Sequence, residues 1–276
     1  MGDGDPGYQF GSGIGADEVA RLEVQGAALA PATRMIFAEA GIRPGMRVLD
    51  LGCGAGDAAF VAADLVGPGG SVVGVDRSPD ALARARLRAG QRGLTQVQFI
   101  EGDIHDPAPG GPFDAIVEVL ALWQLPDPAV VLRRQATALR PGGLVVPIEG
   151  DLSTWRSLPE TALYTQLVSW AVEALTRAGM PFNGPLLWAI LEEAGLRPLG
   201  MIGLQVHIGP GDEVGLAYEV DSLRAVEPLI VGTGVATAEE IGMDTLEQRL
   251  REDREKARAV GAIPLALSVW ATTGPE

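Results

Sequence analysis

From residue 46 onward, short apolar runs alternate with stretches of helical periodicity. Arg47–Leu51 (RVLDL), Ser71–Val75 (SVVGV), Val97–Glu101 (VQFIE), Phe113–Val119 and Leu144–Glu149 are the strand candidates. Between them, Ala58–Val66, Asp80–Gly90 and Pro128–Leu139 place apolar residues at helical spacing, as with Leu82, Ala85 and Ala89. Gly90 closes its helix as a C-cap signal. Strands alternating with helices predict βαβ units and a parallel sheet. The strands read as continuous apolar runs, the pattern expected when helices cover both faces of a sheet.

The rhythm changes beyond residue 150. Thr161–Ala178 and Leu186–Ala194 read as helices, and Leu199–Ile208 as a sixth strand. Val220–Val260 is helix-rich, and Pro264–Thr272 reads as a closing strand. Within that stretch Leu246–Ala259 is strongly charged and reads as a solvated helix face. The N-terminal region predicts a helix from Ala16 to Ala40, interrupted near Pro31. The expected organisation is a helical flap over 1–45 and an α/β core over 46–150. The rest of the core follows over 151–276, with helical insertions at about 151–185 and 210–260.

Composition narrows the classes. Of 276 residues, 47% are apolar and 21% charged, enough to bury a core and too apolar for a disordered chain. The balance of 21 basic against 36 acidic residues gives a net charge of −15, which disfavours nucleic-acid or anionic-membrane binding. One cysteine, Cys53, excludes an internal disulfide, and with two histidines it excludes a Cys₂His₂ zinc site. Met1–Tyr8 is acidic and Gly-rich and does not read as a leader. No apolar run exceeds about ten residues, too few to span a bilayer. A cytoplasmic setting is expected.

Val48–Asp57 (VLDLGCGAGD) carries the clearest chemistry. A strand delivers the chain to glycines at 52, 54 and 56, and a helix follows. Glycine permits left-handed backbone and close approach of a ligand. The helix start offers free N–H groups and the positive end of a dipole. Asp76 closes the next strand 20 residues beyond Gly56, where a carboxylate can accept both hydroxyls of a ribose. This much fits a dinucleotide or another adenosine-bearing ligand. Two features tilt the choice. Asp57 stands where the dinucleotide pattern needs Gly or Ala. Asp50, at the strand tip, repels a pyrophosphate and attracts an ammonium or sulfonium. A ligand with ribose and positive charge is expected, and S-adenosylmethionine (SAM) has both.

At these residues the chain resembles the class I SAM-dependent methyltransferases. The matching pieces are VLDLGCGAG (48–56), GVDRSP (74–79), EGDIHD (101–106), PFDAIVEVLALWQLPDP (112–128) and LRPGG (139–143), in the family's order and spacing. The detail is most similar to the small-molecule branch related to ubiquinone and menaquinone biosynthesis methyltransferases. The resemblance implies a doubly wound, mostly parallel, seven-stranded sheet of the Rossmann-like kind with helical cap insertions. It also implies SAM as cofactor. By that likeness Asp50 and the loop of Gly52, Cys53, Gly54 and Gly56 hold the methionine portion, and Asp76, with Arg77 beside it, takes the ribose. Gly102, Asp103 and Ile104 meet the adenine, and Glu118 lines the site near the sulfonium. Competing readings are a turn former for Asp103, an exposed loop carboxylate for Glu118 and a small buried filler for Cys53.

Methyl transfer is a displacement at a cationic methyl, and alignment in a dry pocket supplies much of its acceleration. A base is needed only when the acceptor must lose a proton, so the motif indicates the donor and not the acceptor. His207 and Glu149, near strand ends, are the candidate bases. An exposed strand end competes as the reading for His207, and a helix-start charge for Glu149. Trp155, Tyr164, Trp170 and Trp188 are expected to wall an apolar acceptor pocket, with 210–260 as a lid; ordinary core packing is the alternative. Tyr8 and Phe10, among Gly11, Gly13 and Gly15, suggest a flap over SAM. There is no Asp/Asp/Asn metal arrangement of the catechol type and no N-P-P-[FY] after the fourth strand. No metal is therefore expected, and no amino methylation of DNA or protein glutamine. The expected reaction is methyl transfer to an O, N or C atom of a small apolar metabolite, with a homodimer left open. The alternative is a protein of this fold that binds SAM without methyl transfer, in a cyclase-like or structural role.

Overall fold

The computed structural model describes residues 16–180 and 184–274. In chain order the strands are β1 (Arg47–Leu51), β2 (Ser71–Asp76), β3 (Val97–Glu101), β4 (Phe113–Val119), β5 (Leu139–Asp151), β6 (Arg156–Leu158), β7 (Arg197–Leu204), β8 (His207–Ile208), β9 (Val260–Ala262) and β10 (Leu265–Thr272). The helices are α1 (Ala16–Ala40), α2 (Asp57–Val66), α3 (Pro79–Gln91), α4 (Pro128–Gln135), α5 (Ala162–Arg177), α6 (Leu187–Glu193), α7 (Glu213–Gly232), α8 (Ala238–Ile241) and α9 (Met243–Ala257).

Seven strands form one sheet in the order β3-β2-β1-β4-β5-β10-β7. β1 to β5 pair in parallel. β10 runs antiparallel to both β5 and β7. β6, β9 and β8 make a separate antiparallel sheet. Strand order reverses between β1 and β4, and in doubly wound sheets a ligand crevice opens beyond the carboxyl ends at such a switch point.

Successive strand residues point to opposite faces. Val48 and Val72 therefore pack with Ile36, Phe37, Phe60 and Leu82 beneath α1, α2 and α3. Leu49 and Val73 pack on the other side with Leu132 and Leu191 of α4 and α6. Both faces are covered, which is why the strands are apolar throughout. Local signals set the helix starts. The Ser78 hydroxyl accepts the Ala81 N–H at 3.2 Å to cap α3, and Pro79 occupies its first turn. Asp127 caps α4 by accepting the Val130 N–H at 3.0 Å. A third apolar cluster joins α5, α7 and α9 through Tyr164, Leu167, Leu216, Leu223, Leu246 and Leu250.

Three expectations are corrected. α1 runs unbroken through Pro31. The proline is exposed, while Leu29 before it and Ala32, Ile36 and Phe37 after it are buried, and that packing holds the helix across the missing hydrogen bond. The sixth strand divides: β7 stays in the main sheet, and His207–Ile208 pairs with β9 instead. Gln205 anchors the crossing by donating to the Thr154 and Ile263 carbonyls, each at 3.0 Å. The charged helix α9 is not only a solvated face, because Arg254 is 4% exposed and ion-paired with Glu219 of α7. Tyr8, Phe10, Gly11, Gly13 and Gly15 lie outside the described residues.

Candidate active site

After β1 the chain turns through Gly52 (φ 67°), Gly54 (φ 49°) and Gly56 (φ 92°). L side chains rarely adopt these conformations. The turn is pinned to the neighbouring strand, since the N–H groups of Gly52 and Cys53 both donate to the Val75 carbonyl at 2.9 and 3.0 Å. Space is also lacking. A Cβ on Gly52 would lie 2.9 Å from Ala121 Cβ, and one on Gly56 would lie 2.9 Å from the Phe60 and Phe99 rings. Cys53 is buried beside the turn, and burial pushes its thiol pKa well up, as befits a filler rather than a nucleophile.

Acidic side chains surround this turn. Asp76 ends β2, with Oδ2 accepting the Gly54 N–H and Oδ1 accepting the Ser78 N–H, both at 2.8 Å. Each oxygen keeps a second lone pair, which suits a vicinal diol. Asp50 is 1% exposed, and its Oδ2 has no donor. Burial, then the charges of Glu118 and Asp76, push its pKa well above the carboxylate range, against a hydrogen bond from the Ala59 backbone.

Glu118 and Glu149 are buried on the adjacent strands β4 and β5. Leu120 takes the left-handed conformation (φ 56°), and the chain curls back over the Glu118 carboxylate. Glu118 Oε1 accepts the N–H groups of Ala121 and of Leu122, the latter at 3.2 Å. The next N–H, of Trp123, donates to Glu149 Oε1 at 3.2 Å. Consecutive N–H groups, of Leu122 and Trp123, thus bring the two carboxyls to one bend of the chain, and among the described residues neither Oε2 has a donor. Burial raises both: Glu118 goes well above its usual range, with the Glu149 charge adding to it, and Glu149 is pushed up to about 8.

Other expected residues are placed differently. Asp103 is exposed, and its Oδ1 accepts the His105 N–H at 2.8 Å and meets the His105 ring at 2.7 Å, which holds its carboxyl below the usual range. It forms the turn, and only Oδ2 remains for a ligand. Ile104 is half-buried at the edge of the second core cluster, Gly102 donates to the Asp76 carbonyl at 3.0 Å, and Arg77 is exposed. His207 is exposed and sits opposite Ala262 in the small sheet, so its expected place at a main-sheet strand end does not hold. Trp155, Tyr164 and Trp170 do share the cap cluster, whereas Trp188 of α6 is 43% exposed and stands apart from it.

Sequence reasoning missed the main-chain donors of Ala121–Trp123, which no side-chain type announces. It also missed that α1 crosses the glycine turn. Leu22 Cδ1 lies 3.3 Å from where a Gly54 Cβ would stand, and a Cβ on Gly26 would meet Asp57 Cγ at 2.1 Å. A glycine inside a helical run was the available signal. Glu23 of α1 also pairs with Arg84 of α3, at 3.0 Å through Nη2.

The orphaned Asp50 oxygen, the diol-ready Asp76 and the side-chain-free turn fit SAM. Together with the switch point, they belong to a doubly wound α/β fold whose crevice suits an adenosine-linked cation. The methyltransferase-domain family matches residues 42–176. Nocamycin O-methyltransferase of Saccharothrix syringae is 36% identical over 174 residues, 63% of this chain and 60% of that one. Demethylmenaquinone methyltransferase of Lactococcus lactis is 33% identical over 150 residues, 54% of this chain and 56% of that one. The match thus spans less than two thirds of each relative. A SAM-dependent methyltransferase structure from Aquifex aeolicus superposes with a TM-score of 0.53 at 19% identity, over 67% of this chain and 92% of that one, and shows the shared fold. Over residues 42–176, just under half of its length, the chain is similar to methyltransferase domains.

Proposed function

We propose that this chain transfers a methyl group from SAM to an O, N or C atom of a small, apolar metabolite. The observation that carries the reading is the glycine turn at the switch point, flanked by Asp76 and by the unpaired, buried Oδ2 of Asp50. When bound, SAM supplies a methyl on a cationic sulfur, open to displacement by an acceptor's lone pair. Asp76 then holds the ribose diol, Asp50 offsets the positive charge, and Gly52, Gly54 and Gly56 let the ligand lie against the backbone. Gly102, Ile104 and the free oxygen of Asp103 form the adenine side, with Arg77 nearby. Glu149, held beside Glu118, is the proton acceptor in this reading, and His207 has no part in it.

The cap of α5, α7 and α9, with Trp155, Tyr164 and Trp170, walls the acceptor side and excludes water. On the other side α1 acts as the flap, and it already lies against the glycine turn. The names of the relatives, both methyltransferases of small molecules, favour methyl transfer over SAM binding without chemistry. The net charge of −15 speaks for a small acceptor rather than a nucleic acid. Among the described residues no helix is long and apolar enough to cross a membrane. The lone Cys53 fits the reducing cytoplasm in which we place the enzyme.

Calorimetric titration with SAM, followed by incubation with labelled SAM and a panel of small phenols, hydroquinones and amines, tests this. Saturable binding and acceptor-dependent formation of S-adenosylhomocysteine are expected. A flat titration overturns it.

A further inference from the structure

Three buried carboxyls lie at neighbouring strand ends around the switch point. Asp50, Glu118 and Glu149 are each no more than 1% exposed. They occupy neighbouring strand ends: Leu51 of β1 is in register with Glu118, and Val119 of β4 with Ile148, the residue before Glu149. Each keeps one oxygen without a donor, namely Asp50 Oδ2, Glu118 Oε2 and Glu149 Oε2. Their other oxygens are served by main-chain N–H groups, of Ala59, of Ala121 and Leu122, and of Trp123.

Among the described residues the main charges acting on Asp50 and Glu118 are acidic: Asp76, Asp57 and Glu118 on Asp50, and Glu149 on Glu118. The Cys53 thiol beside Asp50 faces Asp50 and Asp76, with Arg86 acting more weakly in the opposite sense. Ionised carboxylates buried together without a counter-charge are too costly to persist, so the site holds protons until a cation arrives. Consecutive N–H groups, of Leu122 and Trp123, serve Glu118 and Glu149, so the two carboxyls sit at one bend of the chain. Each has an oxygen that lacks a donor among the described residues, and one such proton sits there.

We infer that the Glu118–Glu149 pair is a proton store, emptied when a sulfonium docks beside Asp50 and refilled by the methyl acceptor, which is therefore a compound with an ionisable O–H or N–H. This rests on the reading of the site as a SAM site. On docking, a glutamic-acid O–H bond breaks, its proton goes to solvent and a carboxylate remains to face the cation. As the acceptor is methylated, its O–H or N–H bond breaks and a new O–H bond forms on that carboxylate. The thioether product is uncharged at sulfur, and the refilled pair again matches it.

The test is calorimetry of the full chain at pH 7 in phosphate and in Tris, whose ionisation heats differ. The difference between the observed heats counts protons released. About one proton should leave per SAM bound and almost none per S-adenosylhomocysteine, which keeps the same amino and carboxyl groups but lacks the sulfonium. The release should fade above pH 8, and Glu149→Gln should lose most of it while still binding SAM. SAM binding with equal heats in both buffers, or equal proton counts for SAM and S-adenosylhomocysteine, overturns the inference and leaves the SAM reading standing. The two-ligand comparison uses the unmodified chain and decides the matter even if the variant does not fold. Absence of any SAM heat in either buffer brings down the SAM reading, and this inference with it.

Discussion

Both the switch point and the cap bury charge, and they treat it in opposite ways. In the cap, Glu219 of α7 is compensated from within the protein. Its carboxylate is ion-paired with Arg254 of α9, and its Oε1 accepts the Tyr164 hydroxyl at 2.5 Å. Tyr164 in turn accepts the Trp155 indole N–H at 3.0 Å, and burial pushes its phenol up to about 12. Gly261 of β9 lies against the pair so closely that a Cβ there would stand 2.1 Å from Glu219 Oε1. At the switch point, Asp50, Glu118 and Glu149 meet, among the described residues, main-chain donors and further acids. A buried charge that folding neutralises is architecture. A buried acid that folding leaves without a cation marks where a ligand belongs.

The comparison can be broken from the cap side first. Arg254→Met leaves Glu219 buried and uncompensated, and should cost about 3–5 kcal/mol of stability in a denaturant titration. Combining it with Glu219→Leu should recover most of that loss. SAM affinity of the folded protein should not change, and a cap variant that abolishes SAM binding would dissolve the distinction between the regions.

A pH series sharpens the other side. Glu149 binds its proton more tightly folded than unfolded, with a folded pKa of about 8 against an ordinary 4.5. The folded state therefore carries more protons than the unfolded state between those values. Stability of the ligand-free protein should fall as pH rises through that window, by a few kcal/mol. Glu149→Gln should flatten the slope, and thermal melts across pH 5–9 report it.

Asp76→Ala should weaken SAM binding by about 1–3 kcal/mol and, by orphaning the Gly54 and Ser78 N–H groups, also lower the melting temperature. An unaltered dissociation constant would remove Asp76 from the ribose. The smallest effect belongs to Glu23→Ala, which opens the partly exposed pair between α1 and α3 and should cost under about 1 kcal/mol of stability. A larger loss would make α1 part of the core rather than a strap upon it.

Much of the switch-point region was legible in the chain. Apolar runs separated by helical periodicity gave β1 to β5 their order, because strand and helix periods are local properties. Gly52, Gly54, Gly56 and Asp76 were legible because a left-handed turn and a strand-end acid are each carried by a residue type at a fixed spacing. The cap was legible only as helices. Arg254 and Glu219 are 35 residues apart in sequence and resemble other surface charges there. Only the packing of α9 on α7 makes them partners. His207 looked like a strand-end base because nothing local shows that the chain changes sheets at Gln205. The Asp103 carboxylate looked free because its tie to His105 depends on how one loop closes.

The amino-acid sequence by itself determined the alternating α/β core, the glycine turn, the acid that follows it and the kind of ligand they suit, since each depends on residues near one another in the chain. Only the tertiary structure decided that Asp50, Glu118 and Glu149 are all buried at neighbouring strand ends and that Pro31 leaves α1 intact. It also decided which buried charges have partners. Those outcomes depend on desolvation and on contacts between distant segments, and both exist only once the layers have packed.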